Sequence, residues 1–225
     1  MKRLLMKICG LTRPEDARLA AALGADLLGF IFHPGSPRCV GPELPASLDS
    51  KTDLLGALKV GLFVDHGPDE AAALMAAGKL DLAQLHGGQD EAYCLALAKS
   101  VGPERIIKVV WPEKAASAEA FQAEIKRFTP YCRLFLADAG QSGGGHGRAI
   151  ESTGGDILAA ARFPKPWLLA GGLGPANLAD LLSRFKPAGL DLNSGVESAP
   201  GIKDKNLLRE AFSALRTAQT NEVTP

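Results

Sequence analysis

Eight times in succession a short apolar run of strand length gives way to a stretch whose apolar residues recur at helical spacing, and that alternation leaves the chain few folds to choose from. The first unit sets the pattern. Leu4 to Cys9 reads as a strand, Thr12 as the cap of a helix with Pro14 in its first turn and Glu15 placed to complete the cap, and Gly24 as its close. Leu27 to Phe32 follows as a strand, then a Pro-rich loop and a weakly helical stretch between Glu43 and Leu55. Strand Leu58 to Val64 leads to a helix opened by Pro68, strand Leu82 to Leu85 to helix Asp90 to Ser100, and strand Arg105 to Trp111 to helix Ala115 to Phe128. After strand Leu134 to Ala137 a glycine-rich loop delays the next helix to Asp156 to Arg162. Trp167 to Ala170 precedes a helix started by Pro175, and Gly189 to Leu192 precedes one capped by Asp204 that runs to about Thr217.

Repeated βα units make a parallel sheet. Eight of them with short connections are expected to close into a single (β/α)8 barrel of the α/β class, because closure leaves no edge strand to protect. An open doubly wound sheet is the alternative. The barrel domain is expected over residues 1–217, with a frayed polar tail at 218–225. Lys plus Arg balances Asp plus Glu at 25 each, so no overall basic field gathers nucleic acid or an anionic membrane, and an anionic ligand must be held by local groups. Cys9, Cys39, Cys94 and Cys132 are scattered, without the spacing of a zinc site or a disulfide framework. With no run long enough to span a bilayer, the chain reads as a cytoplasmic protein with reduced thiols.

Barrel sites form at the C-terminal ends of the strands, so the residues that close each apolar run are the informative ones: Cys9, Asp65, His86, Asp138 and Ser194, with Arg38 in the second loop. Alternation puts Cys9 on the face of Lys7, with Met6 and Ile8 on the other. If that face is the inner one, the thiol reaches the barrel mouth, and Lys7 beside it favours the thiolate of a base or nucleophile. A small buried hydrophobe is the alternative for Cys9. Asp138 shares the face of Leu134 and Leu136, where partial burial would raise its pKa and suit a general acid. Its alternative is a helix cap, although glycines rather than a helix come next.

Gly171 and Gly172 end the seventh strand, and Ser194 and Gly195 follow the eighth. Glycine loops in these two places are the recurrent phosphate cradle of such barrels, because backbone N–H groups can approach an anion closely. Arg38 offers a fork for a carboxylate, with a solvated surface arginine as the alternative reading. His86 reads either as a packing residue or as a second-tier substrate contact. The cluster from Gly143 to Gly147 is either a lid or an ordinary loop.

Several stretches then go beyond spacing. Lys7-Ile8-Cys9-Gly10-Leu11-Thr12, Gly29-Phe30-Ile31-Phe32 with Ser36-Pro37-Arg38, Gln84-Leu85-His86-Gly87, Ala170-Gly171-Gly172-Leu173 and Ser194-Gly195-Val196-Glu197 resemble, in order over nearly the whole chain, the phosphoribosylanthranilate isomerases of tryptophan biosynthesis. The resemblance implies an Amadori rearrangement of N-(5-phosphoribosyl)anthranilate without a cofactor, with Cys9 as general base, Asp138 as general acid, Arg38 on the anthranilate carboxylate and the two glycine loops on the phosphate. It also implies a small phosphorylated substrate, no nucleic-acid or membrane partner, and a monomer or homodimer. Lys7 and Asp191, inward on strands that become neighbours on closure, are expected to form an ion pair. The chain departs from the family pattern at Gly144-Gly145-His146-Gly147, at Ala149-Ile150-Glu151, and at Asn193, where a serine is usual. Two other readings stay open at this point: another sugar-phosphate isomerase or an indole-glycerol-phosphate synthase-like barrel, and a non-catalytic binder that keeps the cradle.

Overall fold

The computed structural model describes residues 3–139 and 153–221. Eight strands alternate with helices: β1 (Leu5–Ile8), α1 (Pro14–Leu23), β2 (Leu27–Ile31), α2 (Glu43–Ser47), β3 (Leu58–Phe63), α3 (Pro68–Ala77), β4 (Leu82–Leu85) and α4 (Glu91–Val101) in the first half. The second half runs β5 (Ile106–Val110), α5 (Ala118–Phe128), β6 (Leu134–Asp138), α6 (Thr153–Ala160), β7 (Trp167–Ala170), α7 (Leu178–Arg184) and β8 (Gly189–Leu192). A short hairpin of β9 (Glu197–Ala199) and β10 (Ile202–Lys203) then leads into α8 (Lys205–Asn221). The strands pair in parallel in sequence order, and β1 closes on β8 with Lys7 opposite Asp191. The expected closed barrel is the one observed, and the open sheet is excluded.

Alternation along each strand sorts side chains between two environments. Met6, Ile8, Leu28, Phe30, Phe135 and Leu190 point outward into the layer between sheet and helices. Val60, Leu82, Ile107, Val109, Leu134, Leu136 and Leu168 fill the barrel interior, and Cys9, Ile31 and Leu62 form a further buried cluster. Period-two patterning therefore decides which residues can reach the mouth. Among the described residues no helix is long and apolar enough to cross a membrane.

Several helix boundaries differ from the sequence expectation, each for a local reason or by simple fraying. Thr12 does not cap α1; its hydroxyl donates to the Gly201 carbonyl, Arg13 takes the cap position, and the loop is tied to the C-terminal hairpin instead. Pro175 does not start α7, because the Asn177 side chain accepts from Gly174 N–H at 2.9 Å and donates to the Gly172 carbonyl at 3.1 Å, holding a turn that postpones the helix to Leu178. The stretch from Glu43 is helical only to Ser47; beyond it Asp49 accepts from the N–H groups of Lys51 and Thr52 and so makes a turn rather than a further helical turn. Helix α6 begins at Thr153, before the expected Asp156, and α8 continues past Thr217 to Asn221. The hairpin after β8 has no counterpart in the expectation. The glycine cluster from Gly143 to Gly147 and the departure at Ala149 to Glu151 lie outside the described residues.

Candidate active site

A cavity of about 340 Å³ opens at the C-terminal end of the strands. Its lining gathers Cys9 after β1, Arg38 from the loop after β2, Gln84 and His86 at β4, Asp138 closing β6, Gly171 and Gly172 after β7, and Asp191 and Ser194 at β8. Of the eight residues to which the sequence assigns a catalytic or substrate-binding role, seven share this wall. Gly195 is the exception: it packs behind the wall, so close to the loop after β7 that a Cβ would lie 2.0 Å from the Leu173 carbonyl oxygen. That contact makes the loops after β7 and β8 one unit, and backbone cannot give way there as a flexible side chain could. Asp65, another strand-end candidate, points to solvent and meets His33 Nδ1 at 3.1 Å.

Cys9 is buried, with fully buried Lys7 two residues before it on the same face. Burial pushes the thiol above its ordinary range, and the Lys7 ammonium opposes that push. Lys7 donates to Asp191 Oδ2 at 2.8 Å, the ion pair that the facing register places together. Burial alone would lower the Lys7 pKa, but Asp191 and Cys9 outweigh it and hold the ammonium charged. The other carboxylate oxygen, Asp191 Oδ1, is buried without a hydrogen bond in a residue that lines the cavity.

This pair carries a prediction. Asp191→Asn leaves a buried ammonium without its counter-charge and should lower the unfolding free energy by about 3–5 kcal/mol, read by urea denaturation, while Lys7→Met in the same chain should recover most of the loss. The Lys7→Met/Asp191→Asn double variant should also raise the pH at which Cys9 becomes reactive. Removing the cation disfavours the thiolate, and removing the more weakly felt Asp191 charge does not compensate. Peptide-resolved iodoacetamide labelling across pH reads this shift; a lower pH of reaction would contradict it.

On the opposite part of the ring, His86 Nε2 lies 3.5 Å from Asp138 Oδ2, and Gln84 Nε2 lies 3.1 Å from His86 Nδ1. Burial, aided by the Lys7 charge, lowers the His86 pKa to about 4, so the imidazole is neutral near pH 7. A neutral ring beside the carboxyl can share a hydrogen bond without supplying a competing charge. His86 also meets the Trp111 ring edge-on at a centroid distance of 5.6 Å.

Arg38 grips Glu197 with Nε 2.9 Å from Oε1 and Nη2 2.7 Å from Oε2. Lys203, almost fully buried, donates to Glu197 Oε1 at 2.8 Å and to the carbonyl and amide oxygens of Asn193, each at 3.0 Å. Asn193 thus satisfies a buried lysine. Burial alone would raise the Glu197 carboxyl, but its two cationic partners hold it below the usual carboxylate range. His33, Gln84 and Asn193 also line the cavity without having been singled out as site residues. Two of these could be found by alternation, since Gln84 shares the inward face of Leu82 and His33 that of Ile31. Among the described residues no group of His, Cys, Asp and Glu could hold a metal ion.

A closed barrel with titratable groups and two glycine-bearing loops around one mouth cavity defines the class: the (β/α)8-barrel enzymes, whose active sites sit at this face. Within that class, the chain belongs to the N-(5'-phosphoribosyl)anthranilate isomerase family, whose model matches residues 6–214. It is 51% identical over 212 residues to the N-(5'-phosphoribosyl)anthranilate isomerase of Maridesulfovibrio salexigens, covering 94% of this chain and 98% of the relative. The crystal structure of phosphoribosyl anthranilate isomerase from Thermus thermophilus superimposes with a TM-score of 0.75 at 36% identity, covering 95% of this chain and 99% of that one. A phosphoribosyl anthranilate isomerase solved in complex with reduced 1-(o-carboxyphenylamino)-1-deoxyribulose 5-phosphate gives a TM-score of 0.74 at 26% identity, covering 96% and 100%. The chain is accordingly an enzyme, an isomerase of tryptophan biosynthesis.

Proposed function

We propose that this cavity converts N-(5-phosphoribosyl)anthranilate to 1-(2-carboxyphenylamino)-1-deoxyribulose 5-phosphate with Cys9 as general base and Asp138 as general acid. The observation that carries the reading is that a thiol and a carboxyl from β1 and β6, 129 positions apart in sequence, line one cavity with Arg38 and both glycine loops. Asp138 protonates the furanose ring oxygen, and the ring opens to an iminium. Cys9 then takes the proton from C2, and the enolamine that results tautomerises to the ketone. Lys7 stabilises the Cys9 thiolate that must be in place before this proton is taken, and neutral His86 keeps the Asp138 carboxyl in place.

The substrate's two anionic ends set its direction across the mouth. Gly171, Gly172 and Ser194, with Gly195 behind them, take the phosphate through backbone N–H groups, and Arg38 takes the anthranilate carboxylate. One barrel, residues 1–217, is the catalytic unit in this reading, working in the cytoplasm as a monomer or homodimer. A relative crystallised with a reduced form of the product supports a small phosphorylated ligand at this mouth. The test is direct: the purified protein should abolish anthranilate-type fluorescence when given N-(5-phosphoribosyl)anthranilate. Unchanged fluorescence together with tight binding would instead establish a non-catalytic binder.

A further inference from the structure

The loop that carries Arg38 and the hairpin that carries Glu197 are 159 positions apart in sequence, yet they meet in a bidentate contact that leaves little freedom on either side. Glu197 is itself pinned: Lys203 Nζ lies 2.8 Å and Gly201 N 3.2 Å from its Oε1. Lys203 has three donors and spends them on Glu197 and on the two oxygens of Asn193. The buried cluster therefore holds two cations against one carboxylate, and the surplus positive charge is expressed at Arg38. Its Nη1 is the guanidinium nitrogen with no hydrogen bond to a described residue, and Arg38 lines the cavity. The arginine stem is walled in from the other side, because a Cβ on Gly10, whose φ is +69°, would lie 2.6 Å from Arg38 Cδ.

We infer that Glu197 is a positioning residue for carboxylate recognition: by occupying the Nε and Nη2 edge of Arg38 it fixes the guanidinium so that Nη1 is presented to an aromatic carboxylate in the cavity. The inference rests on the reading of Arg38 as the group that meets the anthranilate carboxylate. A free arginine would lose side-chain freedom on each binding event, whereas one held by a carboxylate has already lost it. Glu197 does not itself line the cavity and acts through Arg38, so its effect belongs in binding rather than in chemistry.

Glu197→Gln separates these. The KM for N-(5-phosphoribosyl)anthranilate should rise about 10- to 100-fold with little change in kcat, the pattern of lost uniform binding. Affinity for anthranilate alone, followed by its own fluorescence, should fall in parallel, and affinity for inorganic phosphate should stay the same. Since Glu197→Gln also leaves Lys203 buried without its charge partner, the Glu197→Gln/Lys203→Met double variant is the control. It should recover thermal stability but not anthranilate affinity. Recovery of both, an unchanged KM, or equal losses for anthranilate and phosphate would each overturn the inference. Anthranilate binding that depends on Glu197, in a protein that does not isomerise the phosphoribosyl derivative, would refute the proposed activity and leave this inference standing.

Discussion

Cys9→Ala is expected to lower kcat by about 10²- to 10⁴-fold, the range for removing one positioned acid-base group, while the affinity for a phosphorylated product analogue stays close to that of the wild type. The substitution removes only a sulfur from the cluster with Ile31 and Leu62, a small volume at the rim of the packed interior, so folding should survive. Burial disfavours the Cys9 thiolate, and the Lys7 ammonium two residues earlier opposes that push and supplies the charge that the proton-accepting form needs. Cys9→Ser should be nearly as damaging, because a hydroxyl in the same place is far harder to ionise. Full activity in Cys9→Ala, measured by loss of substrate fluorescence, would remove the base from the account.

The second large effect is expected at Asp138. Asp138→Asn keeps the shape and the hydrogen-bonding distance to His86 but cannot give up a proton to the ring oxygen, so ring opening should slow by a similar 10²- to 10⁴-fold factor. His86 cannot take over the acid role at pH 7, since a group with a pKa of about 4 carries almost no proton to donate there. Single-turnover kinetics should place the Asp138→Asn block before ring opening and the Cys9→Ala block after it. Identical accumulation of one intermediate in both variants would contradict this division of labour.

How much of this could be read from the chain depends on whether the cause is local. The strand count follows from the repeated switch between strand-length and helical runs, closure from the absence of edge strands to protect, and the shared faces of Lys7 with Cys9 and of Asp138 with Leu136 from period-two alternation, which is set by the backbone alone. The Lys7–Asp191 pair needed only one more step, the closing register of β1 on β8. The partner of Arg38 was out of reach for a different reason. Glu197 was visible as the end of a motif, but its place depends on a hairpin whose strands are three and two residues long, too short to show any periodicity. Thr12 shows the converse: its residue type and position suit a helix cap, and a distant carbonyl at Gly201 outcompetes that local choice. At α7 the Asn177 side chain, by bonding to both Gly172 and Gly174, overrides the usual meaning of Pro175.

The central claim is that a single ribose sits between the β1 thiol and the β6 carboxyl. A crystal structure of this protein with the reduced product, 1-(o-carboxyphenylamino)-1-deoxyribulose 5-phosphate, tests it most directly. Cys9 Sγ should lie beside the sugar C2 and the Asp138 carboxyl beside the former ring oxygen, each within roughly 3–3.5 Å. A ligand bound with its sugar carbons away from either group, or with its phosphate anywhere but the loops after β7 and β8, would contradict it.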